Sequence, residues 1–373
     1  MKKIFSLILS VWIICSVTAC SSNENSVSEP VQTATTQTVT ETVTEEPTIP
    51  PAQIISTDEK SKKVMKRLET LGYSGVVSVV KDGKLYCSYA KGMLEDGTII
   101  TTDTPMPVGS VSKQFCACAV MLLQEQGKLN VSDKLEKYFP EYTEGKDITL
   151  HNLLSMRSGV PELNFSLALM DKTDEENTKI LMEDIFSQSP LFDPDSMYTY
   201  TNANYFLLGN IVEKVSGKKY FEFLRESFFE PLGMTHTGSV DELPNNPKWA
   251  GGHTYIKIDG QPGLTKGAGD IISNTADMHI WLEALHTGKS VSLESYKTMT
   301  TDYSSENPYG YALVLNYPDG GIGHSGLIGS YSAQDYISEE LNMMVFMDSN
   351  NIRANSHTER FYDLLDGLNG TEE

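Results

Sequence analysis

The chain has 373 residues, 39% of them apolar, and a formal net charge of −21. This length supports one large folded domain or two ordinary ones. The apolar fraction fills a core but does not supply several membrane spans. So acidic a chain repels DNA, RNA and anionic lipid headgroups, which argues against a nucleic-acid role.

The start of the chain reads as a targeting segment. Lys2 and Lys3 precede an apolar run over residues 4–17, too short to span a bilayer comfortably. Val17-Thr18-Ala19-Cys20 then resembles a bacterial lipobox, a signal in which the chain is cut before the cysteine and the cysteine carries lipid. The alternative is an ordinary secretory signal in which Cys20 is incidental. The expectation is a signal peptide over residues 1–19 and a lipid anchor on Cys20 that holds the protein at the extracytoplasmic face of the membrane. Residues 21–55 contain five acids, no bases and no aromatics. Such a segment cannot bury enough surface to offset ordering entropy, so residues 20–55 read as a lipidated Cys and a disordered tether. Stretched, the tether reaches roughly 120 Å. The folded domain is expected over residues 56–373.

Cys15 leaves with the signal, and Cys87, Cys116 and Cys118 remain. An odd, badly spaced trio is no disulfide framework. Cys116 and Cys118 are two apart on an expected helix and face different ways. No Cys/His cluster has zinc spacing.

In chain order, a helix is predicted over residues 58–71, with Val64, Met65, Leu68 and Leu71 at helical spacing and Gly72 as its stop. Strands at 76–80 and 85–89 flank Asp82-Gly83, a tight-turn signal. Helices follow at 112–126, 203–215, 220–229 and 276–286. Strands return at 311–316, 331–337 and 343–348, the last two joined by a polar turn at 339–342. An amphipathic helix over 356–368 ends the pattern. Strands at both ends with helices between predict an α/β (α+β) fold: one antiparallel sheet flanked by helices, beside an all-helical lobe. The cleft between them is the expected place for a site.

Three short patterns carry chemistry. Ser110-Val111-Ser112-Lys113 is S-x-x-K at the start of an apolar helix. Residues three apart on a helix share a face, so Ser110 Oγ and Lys113 Nζ can meet. A serine hydroxyl needs a base to become a nucleophile, and a lysine serves if burial lowers its pKa. By itself the pattern is common, and Ser112 could be a simple helix cap. Tyr200-Thr201-Asn202 precedes another helix. Its phenol can relay a proton, and its amide can hold Lys113 and a substrate carbonyl. The plain alternative is a helix start with Asn202 as cap. His324-Ser325-Gly326 precedes an expected strand. Gly326 would let a substrate lie against the backbone, and the Leu327 N–H could join that of Ser110 in an oxyanion hole. The plain alternative there is a Gly-rich turn.

Taken in this order, the three patterns resemble those of the serine β-lactamase and penicillin-binding superfamily, especially the branch of class C β-lactamases, D-alanyl-D-alanine carboxypeptidases and related esterases. Residues 148–154 with Ser158-Gly159, 205–209, 231–234 and 275–278 are similar to further family stretches. The resemblance implies an acyl-enzyme on Ser110 formed without metal or cofactor, Lys113 and Tyr200 sharing the work of base and acid, and Asn202 orienting Lys113 and the substrate. His324 stands where many relatives carry the Lys of a Lys-Thr-Gly triad. Unperturbed, it titrates near pH 6.5 and holds a carboxylate less firmly, which disfavours efficient β-lactamase action. Met156-Arg157 replaces a His-Thr pair. The expected substrates are a small peptide, an ester or a β-lactam, led by a D-alanyl peptide of the cell wall. Two other readings compete. Gly323-His324-Ser325-Gly326-Leu327 resembles a G-x-S-x-G elbow, but Leu327 replaces the last Gly and the surroundings read strand-turn-strand. An inactive surface binding or sensing module would keep the fold without needing Ser110, Lys113, Tyr200 and Asn202 together.

Overall fold

The computed structural model describes residues 49–94, 97–168, 172–239, 265–304, 306–317, 320–328, 331–339, 341–348 and 354–369. The signal, Cys20 and most of the tether fall outside the described residues. Among the described residues, no helix is long and apolar enough to cross a membrane.

The domain opens with strand β1 (Gln53–Ser56), helix α1 (Glu59–Thr70) and strands β2 (Gly75–Lys81) and β3 (Lys84–Lys91). Asp58 starts α1 through a capping box: its carboxylate accepts from Ser61 N at 2.7 Å, and Ser61 Oγ accepts from Asp58 N. The β2–β3 turn takes positive φ at Asp82 (50°) and Gly83 (70°), as the Asp-Gly pair predicts. The chain then runs through β4 (Met106–Pro107), α2 (Ser112–Glu125), α3 (Leu150–Leu154), α4 (Asp174–Phe186) and α5 (Asn202–Ser216). Helix α6 (Tyr220–Leu224) passes through a π-helical turn into α7 (Glu230–Leu232). Strand β5 (Ile272–Ser273), α8 (Thr275–His286) and α9 (Leu293–Met299) lead to β6 (Ile322–Ile328), β7 (Tyr331–Ile337), β8 (Leu341–Asp348) and α10 (Ala354–Asn369).

Six strands form one antiparallel sheet in the order β1-β3-β2-β8-β7-β6, so the two ends of the domain meet where β2 pairs with β8. Each face of the sheet has its own core, and the two-residue strand period sorts residues between them. Val76 packs with Val111 and Phe115 and with Trp281 of α8, whose ring stacks on Phe115 at 3.8 Å between centroids. Val77 and Val79 face the other way, onto Met65 and Leu68 of α1 and Phe361, Leu364 and Leu365 of α10.

Four expectations change. The last residues of the expected tether, 53–55, are not disordered: with Ser56 they form β1, because their backbone pairs with Ala90–Cys87 of β3. Residues 311–316 are no strand. Ala312 sits at φ 60°, which breaks the extended run, and only Val314 bridges to Gly323. The pattern at 324–326 lies inside strand β6 rather than before a strand. Helices α3, α4 and α9 carried too little apolar periodicity to be seen. Each begins at a side-chain cap: Thr149, Thr173 and Ser292. The three cysteines are free and buried; Cys116 Sγ points to the Tyr205 carbonyl at 3.8 Å and Cys118 Sγ to Met299 Sδ at 3.9 Å.

Candidate active site

Ser110 lies in a single 3-10 turn, Gly109–Val111, that runs straight into α2. Gly109 is required there. It sits at φ 52°, and a Cβ would come within 2.8 Å of the Leu327 nitrogen. Ser112 anchors the helix start rather than capping it: its Oγ accepts from Ile271 N at 3.0 Å.

One turn on, Lys113 is wholly buried. Its Nζ meets three oxygens: Ser110 Oγ at 3.0 Å, Asn202 Oδ1 at 2.8 Å and the Ala268 carbonyl at 2.6 Å. Burial pulls the Lys113 pKa from 10.5 down to about 7, with the Glu162 carboxylate pulling in the opposite direction. The neutral amine fits this setting. It has two N–H donors for the two fixed acceptors and one lone pair for the Ser110 hydroxyl proton.

Asn202 is the first residue of α5, and Thr201 before it makes no side-chain cap. The carboxylate of Glu162 serves instead, accepting from Asn202 N at 2.9 and 3.0 Å and from Asn202 Nδ2 at 3.3 Å. Glu162 thereby turns the amide so that Oδ1 faces Lys113. Tyr200 stands over Lys113, with Nζ 4.9 Å from its ring centroid, and its hydroxyl hydrogen-bonds with Ser110. Desolvation raises the Tyr200 pKa above 10. Tyr200 as a whole residue keeps 36% exposure, so solvent near it tempers the rise. The Met156-Arg157 pair has a local explanation. Thr199 N donates to the Met156 carbonyl at 2.9 Å, and Arg157 Nε reaches Asp195 Oδ1 at 3.4 Å. Together they pin the segment that delivers Tyr200.

Strand β6 is the sheet edge beside Ser110. Gly323 exchanges both backbone hydrogen bonds with Val314 on the outer side. By the two-residue alternation of an antiparallel ladder, the N–H of Leu327 also points outward, toward the Ser110 turn. Gly326 makes this approach possible. A Cβ there would lie 2.0 Å from the Val108 carbonyl oxygen and 2.9 Å from Ser110 N. The Ser110 N–H belongs to a first turn, whose donors have no intrahelical acceptor. Both N–H groups therefore border one small space in front of Ser110 Oγ.

His324 is buried, and burial drives its pKa from 6.5 to about 3, with the Lys113 charge acting in the same direction. Its Nδ1 lies 2.6 Å from the Ser325 carbonyl and its Nε2 3.1 Å from Tyr309 Oη. The neutral ring therefore carries its proton on Nδ1 and accepts from Tyr309 on Nε2. A buried chain of bonds holds this strand. Trp281 Nε1 donates to Gln114 Oε1 at 3.0 Å, Gln114 Nε2 donates to Asp335 Oδ2 at 2.8 Å, and Asp335 Oδ1 accepts the backbone N–H of His324. Burial raises the pKa of Asp335 to about 7.

Sequence patterns named Ser110, Lys113, Tyr200, Asn202, His324, Gly326 and Leu327; the structure gathers the first four by hydrogen bonds, sets Gly326 and Leu327 against the Ser110 turn, and places His324 beside Tyr200, with 6.0 Å between ring centroids. The patterns did not name Glu162, the Ala268 carbonyl, Tyr309 or the Gln114–Asp335 pair. Glu162, four residues after Ser158, and Gln114, next to Lys113, stood near patterns that could have flagged them. Among the described residues, no group of three or more His, Cys, Asp or Glu is arranged to hold a metal ion.

A six-stranded antiparallel sheet beside a helical lobe, with this constellation at its edge, defines a serine hydrolase. The chain belongs to the β-lactamase family, whose profile matches residues 61–360. It is 29% identical over 328 residues to a putative penicillin-binding protein, PbpX, of Bacillus subtilis, covering 83% of this chain and 80% of the relative. It is 28% identical over 284 residues to a teichoic acid D-alanine hydrolase of Staphylococcus aureus, covering 72% and 70%. In fold it is similar to the crystal structure of FmtA from Staphylococcus aureus, with a TM-score of 0.71 at 20% identity over 87% of this chain and 92% of that one.

Proposed function

We propose that the protein forms an acyl-enzyme on Ser110 and hydrolyses a D-alanyl ester or amide of the cell envelope. The observation that carries this reading is the Lys113 amine, 3.0 Å from Ser110 Oγ and buried, with its pKa pulled down to about 7 so that a large fraction is neutral at physiological pH. Ser110 Oγ bonds to the substrate carbonyl carbon as its proton passes to Lys113 Nζ. The oxyanion sits between the N–H groups of Ser110 and Leu327. Collapse breaks the bond to the leaving group, which takes the proton back through Tyr200, still protonated at working pH. Water then attacks the acyl-enzyme along the same proton path, releases the acid and restores Ser110.

His324 orders the substrate classes. A neutral imidazole holds no carboxylate beside the scissile bond. This disfavours β-lactams and peptides ending in D-alanyl-D-alanine, the class placed first from sequence, and favours an ester whose leaving group is a neutral polyol. The D-alanine hydrolase among the relatives supports the same order. The further proposal is a signal peptide over residues 1–19, lipid on Cys20, a tether ahead of strand β1 and a hydrolase domain that begins with that strand at Gln53.

The test is mass spectrometry of the protein with a D-alanyl glycerol ester, a D-alanyl-D-alanine peptide and a penicillin, with Ser110→Ala as control. A transient acyl adduct on Ser110 with the ester cleaved fastest is expected. Faster cleavage of the peptide would reverse the order of substrates. Turnover by Ser110→Ala would end the acyl-enzyme reading.

A further inference from the structure

A cavity beside α1 is remote from Ser110. It measures about 520 Å³ and lies between α1 and α10. The two helices pack on the sheet face opposite to α2, so this cleft and the active site open on different sides of the sheet. Gly367 lets the helices approach: a Cβ there would lie 3.1 Å from Val64 Cγ2. Arg67 Nη2 and Asp363 Oδ2, 3.7 Å apart, join them across the gap.

The charge of this cleft runs against that of the chain. Lys60, Lys63, Lys66, Arg67 and Arg360 line it with Asp363 as the single acid among the described residues, in a protein of formal charge −21. Lys66 also pairs with Glu69 at 2.9 Å, and the cleft still keeps a positive excess. Arg360 Nη1 is buried and has no hydrogen-bond partner among the described residues. A buried guanidinium nitrogen left this way costs free energy until an acceptor arrives. Folding alone does not explain such a cluster, since like charges on one helix repel.

The floor is apolar. Val64, Leu68 and Leu364 form it, and Leu71, 50% exposed, stands at the rim. Free phosphate or a hydrophilic polymer uses the cations and leaves that floor unused. An amphiphile uses both: its phosphate pairs with the lysines and Arg360, and its glycerol and first methylenes lie on the leucines. We propose that the α1/α10 cleft binds the phosphate headgroup of an anionic lipid and seats this face of the domain on a membrane surface, leaving the Ser110 side turned away from it. Guanidinium and ammonium groups over an apolar floor suit the headgroup level, where charged side chains and hydrocarbon meet. The inference stands apart from the catalytic proposal and from lipidation of Cys20.

The experiment compares two full chains, both carrying Cys20→Ser so that neither bears an acyl anchor, one of them also Lys60→Ala and Lys63→Ala. Each is sedimented with vesicles of phosphatidylcholine alone or with added phosphatidylglycerol. Both chains share one N-terminus, so the difference between them reports the cleft. The parent should partition onto phosphatidylglycerol vesicles, release as salt rises, and lose roughly tenfold or more of its partitioning in the double variant. Arg360→Gln should weaken it too. Turnover of a small ester stays unchanged in all variants and reports an intact fold. Equal partitioning of parent and double variant, or equal binding to both vesicle types, overturns the proposal. Release of the parent from vesicles by millimolar soluble glycerol phosphate also overturns it, in favour of a water-soluble phosphate ligand.

Discussion

Replacing Glu162 by Gln tests the arrangement around Lys113 at a residue that touches neither substrate nor Ser110. Glu162 accepts from the backbone and side-chain nitrogens of Asn202, at 2.9 to 3.3 Å, and from Leu163 N at 2.8 Å. The Gln keeps one acceptor and turns an NH2 group toward the Asn202 N–H, donor against donor. A hydrogen bond to a charged group contributes about 1.5–3 kcal/mol. If losing it lets Asn202 release Lys113, kcat/KM falls roughly ten- to hundredfold, mostly in kcat. The pH profile separates this from loosened folding. Lys113 must be neutral to take the Ser110 proton, so the rate rises with pH through its pKa of about 7. The Glu162 charge favours the protonated amine and holds that pKa up. Removing the charge takes away the largest pull opposing burial, and the acidic limb moves to lower pH. Glu162→Asp keeps the charge and should hold the limb near its original position while still losing rate. The assay is kcat and KM for a soluble D-alanyl ester from pH 5 to 9. An acidic limb that stays in place or moves upward in Glu162→Gln would refute the reasoning.

Three other outcomes are expected. Lys113→Met should cut kcat about 10²- to 10⁴-fold, the usual worth of a positioned base. It should also flatten a stability slope. Between about pH 7 and 10.5 the unfolded lysine holds a proton that the folded one has lost, so wild-type stability rises with pH across that window; thermal unfolding of both proteins from pH 6.5 to 9.5 checks this. Gly326→Ala must push β6 away from the Val108 carbonyl and take the Leu327 N–H with it, so kcat should fall about 10²- to 10³-fold in steady-state assays of a chain whose circular dichroism is unchanged. Because His324 is neutral above about pH 3, KM for a neutral ester should show no titration near pH 6.5; a clear inflection there would mean that the ring protonates.

Much of the frame is readable along the chain because it depends on neighbours. The 3.6-residue period puts Ser110 and Lys113 on one face, and the pair is found 3.0 Å apart. Asp82-Gly83 specifies a tight hairpin from local backbone preference, and strands at both ends of the domain require one sheet to join them. Helices α3, α4 and α9 were missed because caps rather than apolar stripes define them. The strand at 311–316 failed because one positive φ at Ala312 outweighs an apolar run.

What sequence alone determined was which reactive groups are present, in what order, and which two are neighbours on a turn. What tertiary structure decided was their chemistry. The pKa of Lys113 comes from desolvation, and that of His324 from the buried edge of the sheet; burial depends on every element packed around a group. Glu162, the Ala268 carbonyl and Asp335 reach the site across 40, 155 and 11 residues of chain from the groups they bind. Spacing carries no trace of such contacts, because folding a chain back on itself brings them together and no local periodicity encodes that distance.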